Sequence, residues 1–426
     1  MRKKHFLFAS VLALLCGSSA LHAQDFKLTS SGYFKNQGVD IMAFDDIYPE
    51  GHQGGVCIIM NGHRVVTNGD IRLEATPGQW QPVPKQLDRK LGDNSITATL
   101  CYPDSSRHLT GFNPMIYPDL HLIYTVNVES KGKNIEVTVD LDRPIPQEFI
   151  GKVGFNLEFF PGSLFGKPWI MDGQSGIFPQ QPNSPLMTTQ PNYLHTGNYH
   201  DGKQSLADMD KLIGKGYSPI VADDIISEPY AKGRKFTSRP DDPYNKVTIE
   251  SLSGDLQLFD GRMNHNNGWF VLRSKIKPGV TKGAVKWIIT PNVVADWMYQ
   301  PVIQTSQIGY HPAQDKEAVI EMDIRDNRKE TAQIIRIDAD GEKVVKNVTP
   351  ANWGKFLRYN YLKVDFTDVK EPGLYKIKYD TSVSPIFRID NDVYARGVWQ
   401  PVLEYFLPVQ MCHMRVNEKY RVWHDS

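Results

Sequence analysis

From Gln24 to about Gln300 the chain is a succession of short runs rich in Val, Ile, Tyr, Phe and Thr, each closed by turn-forming residues. Such runs suit a pleated surface, and so regular a succession leaves little room for helices. The runs fall at Val56–Met60, Ser95–Tyr102, Leu120–Glu129, Asn134–Leu141, Val153–Phe159, Lys246–Leu252, Trp269–Lys275 and Val285–Thr290. The clearest hairpin spans Leu120 to Leu141, where Glu129-Ser-Lys-Gly-Lys-Asn134 joins two alternating segments. The layout predicts a large antiparallel β-sandwich over residues 24–300. Ser205–Ile213 is the best short helical candidate, and residues 161–202, dense in Gly, Pro, Asn and Gln, read as a loop.

Near Pro301 the texture changes. Runs at Ala318–Ile324, Gln333–Ile337, Tyr361–Phe366 and Gly373–Tyr379, with turns at Asp338–Gly341 and Lys370–Gly373, predict a small sandwich over residues 301–390. It lacks a Cys…Trp…Cys pin, so it is immunoglobulin-like in topology alone. Beyond it, Asp392 is placed to cap a helix in which Trp399, Val402, Leu403, Phe406 and Val409 recur at helical spacing, with Pro401 and Pro408 starting or kinking it. Nothing after Ser426 covers this apolar segment, which reads as a third domain, residues 391–426, that is cut off.

At the other end, Arg2, Lys3 and Lys4 precede an apolar run, Phe6–Leu15, and small residues lead to Ala23. This is the pattern of a secretory signal peptide over residues 1–23, and it predicts an exported protein, periplasmic, at the cell surface or secreted. Its removal leaves 45 basic against 48 acidic residues. A mildly acidic chain without a clustered basic excess argues against a nucleic-acid partner. No window is long and apolar enough to span a bilayer. Export permits a disulfide between Cys57 and Cys101, but cysteines are too sparse to be the framework.

The constellations that could carry chemistry are few. Asp223-Asp224 and Asp241-Asp242 sit near prolines and read as solvated turns. His195, His200 and Asp201 match no metal-ligand spacing, and no cofactor is indicated. Trp169, Tyr193 and Tyr199 lie in the loop-like stretch, where aromatic faces could stack on sugar rings or simply pack in a core.

Three stretches together, Gln307-Ile-Gly-Tyr-His-Pro312, Glu371-Pro-Gly-Leu-Tyr375 and Ser384-Pro-Ile-Phe-Arg-Ile-Asp390, resemble the N-terminal immunoglobulin-like module of glycoside hydrolase family 9 cellulases. The segments C-terminal to them, Trp399-Gln-Pro-Val-Leu-Glu-Tyr-Phe406, Gln410-Met-Cys-His-Met414 and Tyr420-Arg-Val-Trp-His-Asp425, resemble the opening of that family's catalytic domain in Bacteroidetes polysaccharide degraders. The resemblance covers residues 303–426. It implies an (α/α) barrel that hydrolyses β-1,4-glucans with inversion and a β-glucan or xyloglucan-like substrate; His413, Trp423, His424 and Asp425 match its opening segment and either line the glycan cleft or pack among the first barrel helices. Inversion needs a carboxylate base and a carboxylic acid on opposite sides of the sugar. In this family the base belongs to an Asp-Ala-Gly-Asp motif that this chain does not contain. No catalytic residue carries over. The expected function is therefore the N-terminal portion of an exported β-1,4-glucan hydrolase, itself inert. The alternatives are a stand-alone carbohydrate-binding module and an N-terminal sandwich with a sugar-active site of its own.

Overall fold

A computed structural model describes residues 25–45, 54–74, 76–78, 84–102, 120–184, 227–263, 268–395 and 397–411. The chain is mainly β, its sheets are antiparallel, and it divides into two compact units at Trp297/Met298.

The first unit holds two nine-stranded sheets. In spatial order the first runs Lys27–Leu28, Phe34–Asn36, Val39–Ala43, Val56–Met60, His63–Leu73, Val153–Phe159, Phe270–Lys275, Leu256–Asp260 and Ala231–Gly233. The second runs Gln174–Ile177, Pro168–Met171, Lys235–Ser238, Val247–Ser251, Val285–Pro291, Asn134–Leu141, Ile123–Lys131, Ser95–Cys101 and Lys85–Leu91. All eight of the runs read from the sequence are strands within a few residues of their expected ends. In the central hairpin Lys131 pairs with Asn134 across a two-residue turn in which Gly132 has φ +69°. A turn of this kind follows the right-handed strand twist but requires φ > 0, which glycine adopts without cost.

The second sheet alternates along its central strands. Val126, Val128, Val137 and Val139 are buried, and the Thr, Asn and Glu residues between them are partly exposed. One face is therefore core and the other meets solvent. The first sheet differs. Val153–Phe159 is buried at every position, and Phe270–Lys275 at all but the last. One face of these strands, including Phe155, Leu157, Phe270 and Leu272, joins the apolar core, where Trp287 packs edge-on against Phe155 at 5.0 Å.

Residues 161–202 are not one loop. Two paired strands, Pro168–Met171 and Gln174–Ile177, occupy part of the stretch, and the rest from 185 lies outside the described residues, as does Ser205–Ile213. Cys57 and Cys101 sit on different sheets and are thiols, so the bridge permitted by the sequence is not formed. The Cys57 Sγ donates to the Gly54 carbonyl at 3.1 Å and lies 3.3 Å from Thr67 Oγ1.

The second unit has one sheet of Val302–Gln304, Glu317–Asp323, Tyr359–Asp365 and Ala351–Phe356, and another of Gly341–Val348, Ala332–Asp338, Gly373–Tyr379 and Ser382–Val383, with Phe387–Ile389 also paired to Gly373–Tyr379. Its core includes Ile303, Ile320, Leu362, Val364, Tyr375, Ile377 and Phe387. After residues 391–395, which are turns, a helix runs Gln400–Met411, so its start lies later than a cap at Asp392 requires. No helix among the described residues is long and apolar enough to cross a membrane.

Candidate functional site

Of the aromatic residues expected to meet sugar, only Trp169 is among the described residues. It pairs with Gly176 and Ser238 within the second sheet and is 6% exposed. A Cβ on Gly176 would fall against the Trp169 ring, so this glycine opens the space the indole fills. Trp169 thus packs as a core residue and offers no open face, because strand pairing rather than a loop sets its direction. Tyr193, Tyr199, His195, His200, Asp201, Asp223 and Asp224 lie outside the described residues, and so do His413, Trp423, His424 and Asp425. Asp242 accepts from the Tyr244 amide at 2.8 Å and Asn245 Nδ2 at 3.0 Å and pairs with Arg239, the geometry of a closed turn. No group of three His, Cys, Asp or Glu among the described residues is placed to hold a metal ion.

Among the described residues, a cluster of buried titratable side chains lies on the first sheet, where spacing did not reveal it. The cross-strand register places Arg72 opposite Gly154, and Asn156 opposite both Asp70 and Arg273. Gly154 is needed there, since a Cβ would come within 2.7 Å of Arg273 Nε and of the Ser274 carbonyl. Glu74 Oε1 accepts from Asn156 Nδ2 at 2.6 Å and lies 3.9 Å from Arg273. Glu158 accepts from Asn68 Nδ2 at 2.6 Å and lies 4.0 Å from Arg72. Arg273 also donates to the Glu74 and Lys152 carbonyls, at 2.8 and 3.0 Å. Asp70 accepts from the Tyr124 hydroxyl, which comes from the second sheet, at 2.9 Å and from the Ile71 amide at 2.7 Å.

All of these charged side chains are buried. Burial pushes the Asp70 carboxyl up to about 6 despite the nearby Arg72 guanidinium, and burial likewise raises Glu74 although Arg273 and Arg72 oppose it. A hydrolytic carboxyl pair needs room for a sugar and a water between its members. Here the carboxyls are closed against guanidinium and amide groups. The arrangement ties three strands of the first sheet together and presents nothing to a glycan.

Residues 298–384 match the family described as the cellulase N-terminal ig-like domain. The second unit carries that ig-like domain. The resemblance seen in the three sequence motifs agrees with it, since two of them, at 307–312 and 371–375, lie inside the matched range and the third begins at its end. A metagenome-derived glycoside hydrolase family 9 endoglucanase of known structure is 31% identical over 21% of this chain and 18% of its own, with a TM-score of 0.19. A family 9 glycoside hydrolase from Bacteroides ovatus is 24% identical over 28% of this chain and 20% of its own, with a TM-score of 0.21. The chain thus spans about a fifth of each of these structures. No curated protein matches it.

Within the ig-like domain the Gln307–Pro312 motif has a structural meaning. Gly309 has φ +94°, and a Cβ there would strike the Arg388 carbonyl. The close approach lets the Tyr310 amide donate to the Arg388 carbonyl at 2.9 Å and the Asp390 amide donate to the Tyr310 carbonyl at 3.1 Å. The Tyr310 ring packs edge-on against Phe366 and Phe387, and its hydroxyl accepts from the Ser306 amide and donates to the Glu317 carbonyl.

Proposed function

We propose that the chain is the N-terminal portion of an exported β-1,4-glucan hydrolase, in which the two β units support a catalytic (α/α) barrel that begins in residues 391–426. The observation that carries this reading is the order of parts: an ig-like domain of the cellulase kind over 298–384, then a helix at Gln400–Met411 whose Val402, Leu403, Tyr405 and Phe406 are all more than half exposed or at the half-way mark. A helix that bares apolar residues in this way needs further helices to cover them, and an (α/α) barrel supplies them. The basic and apolar start of the chain supports export.

On this reading hydrolysis proceeds with inversion by a carboxylate base and a carboxylic acid that residues 24–426 do not provide. Those residues, incubated with carboxymethyl-cellulose or xyloglucan, are expected to release no reducing ends, and release of any would overturn the assignment of the chemistry to the barrel. The coding DNA past the Ser426 codon is expected to continue in frame to an Asp-Ala-Gly-Asp motif. An uninterrupted continuation into an unrelated sequence would refute the parentage.

A further inference from the structure

In a sandwich the outward positions of each strand are normally polar. The four-stranded sheet of the ig-like domain departs from this. Leu362 and Val364 of Tyr359–Asp365 point into the core, so Tyr359, Tyr361 and Lys363 lie on the opposite face. Tyr361 sits opposite Glu321, and Tyr359 opposite Phe356. An irregularity in pairing between Asn352 and Gly354 brings Trp353 to the same side, its ring 5.6 Å from that of Tyr361. Tyr299 continues the series, 5.1 Å from Tyr359, which is itself 6.1 Å from Tyr361. Trp353 and Phe356 are 55% and 57% exposed.

We propose that this outer face binds a single, soluble, neutral β-glucan chain. The choice of glycan class rests on the function proposed above; the choice of a neutral polyhydroxylated ligand rests on the face itself. The cations Lys363 and Arg325 are paired, with Glu317 at 2.8 Å and Asp323 at 2.7 Å, and the further carboxylate Glu321 is held by tyrosine hydroxyls, so the face is not basic and does not suit an anionic polymer. The Glu321 carboxylate accepts from the hydroxyls of Tyr299, at 2.9 Å, and Tyr361, at 3.3 Å, which fixes both rings around a polar centre. Aromatic faces beside hydrogen-bonding groups suit a pyranose, whose axial C–H groups pack on a ring while its hydroxyls reach polar atoms. The rings succeed one another at about the length of one sugar residue. Their planes are inclined at 53°, 66° and 89°, so they form no flat shelf. A single flexible chain can follow such a surface, and the flat face of crystalline cellulose cannot.

Affinity electrophoresis of the full chain in gels containing barley β-glucan, hydroxyethyl-cellulose or xyloglucan tests this, with dextran as the control. Retardation by at least one β-glucan but not by dextran is expected, together with no retention on microcrystalline cellulose. Trp353→Ala, exposed enough to leave the fold intact by circular dichroism, is expected to abolish the retardation, and Tyr361→Phe, which keeps the ring, to preserve most of it. Unretarded migration in every β-glucan gel, or retardation that survives Trp353→Ala, would overturn the proposal. So would equal retardation by dextran, or a dimer in sedimentation that Trp353→Ala dissociates, since the face would then be occupied by a second copy. Each of these results leaves the parentage test on the coding DNA untouched.

Discussion

At the scale of single residues, Asp70 shows how the fold sets a property that the sequence hides. Asn68-Gly69-Asp70, made of turn-forming residue types, lies inside the strand His63–Leu73, where the register shifts against Val153–Phe159 and Asn68 takes φ +53°. Burial there lifts the Asp70 carboxyl from 3.8 to about 6. Between those values the native protein holds a proton that the unfolded chain has released, so this contribution to stability is present below about pH 4 and is lost as pH rises through about 6. The loss is on the order of 2–3 kcal/mol for a shift of about two pH units. Asp70→Asn stays neutral throughout and keeps an acceptor for Tyr124. Urea unfolding at pH 4 and pH 7 is expected to show the variant gaining on the natural protein by that amount at the higher pH; an unchanged difference would place the Asp70 carboxyl at its ordinary value. Gly309 is the opposite case. The motif around it was recognisable, while the reason for glycine, a backbone contact with Arg388 some eighty residues away, is set by tertiary packing.

At the scale of elements, legibility followed burial. Strands with one or both faces in a core, such as Asn134–Leu141 and Val153–Phe159, announce themselves by alternating or continuous apolar residues. Strands at the sheet edges do not. Lys85–Leu91 reads Lys-Gln-Leu-Asp-Arg-Lys-Leu and Gly341–Val348 is exposed along most of its length, and no apolar pattern marks either. The charges have their own use at an edge, because an unpaired ladder of N–H and C=O groups invites pairing with another chain. Asp88 and Lys90 form an exposed pair on Lys85–Leu91 at 2.8 Å, worth little as a stabilising contact. Replacing both by Val is therefore expected to leave the melting temperature nearly unchanged while raising light scattering during incubation at high protein concentration. A large fall in melting temperature without added scattering would show that the pair serves stability instead. The aromatic face of the ig-like domain was also hidden, for a different reason: Tyr299, Glu321, Trp353 and Tyr361 are distant in sequence, and strand pairing collects the last three while a hydrogen bond to Glu321 holds Tyr299 beside them.

At the scale of the whole chain, the change of texture near residue 300 has a physical counterpart in two apolar cores. Among the described residues the first draws on residues from Phe26 to Ile289 and the second on residues from Ile303 to Ile389, and none belongs to both. Cooperativity in unfolding comes from a shared core, so two cores predict two transitions in calorimetry. Mild substitutions can assign them. Trp287→Phe removes the indole donor to Ser274 Oγ, at 3.1 Å, and leaves a small void beside Phe155. Tyr310→Phe removes the hydroxyl that links the Ser306 amide to the Glu317 carbonyl. Each is expected to cost roughly 1–3 kcal/mol, the range for losing a buried hydrogen bond or a little packing volume. Trp287→Phe should lower one transition and leave the other in place, and Tyr310→Phe should do the reverse. A single transition that both variants lower together would mean that the two cores unfold as one body and that the break at Trp297/Met298 is one of connectivity alone.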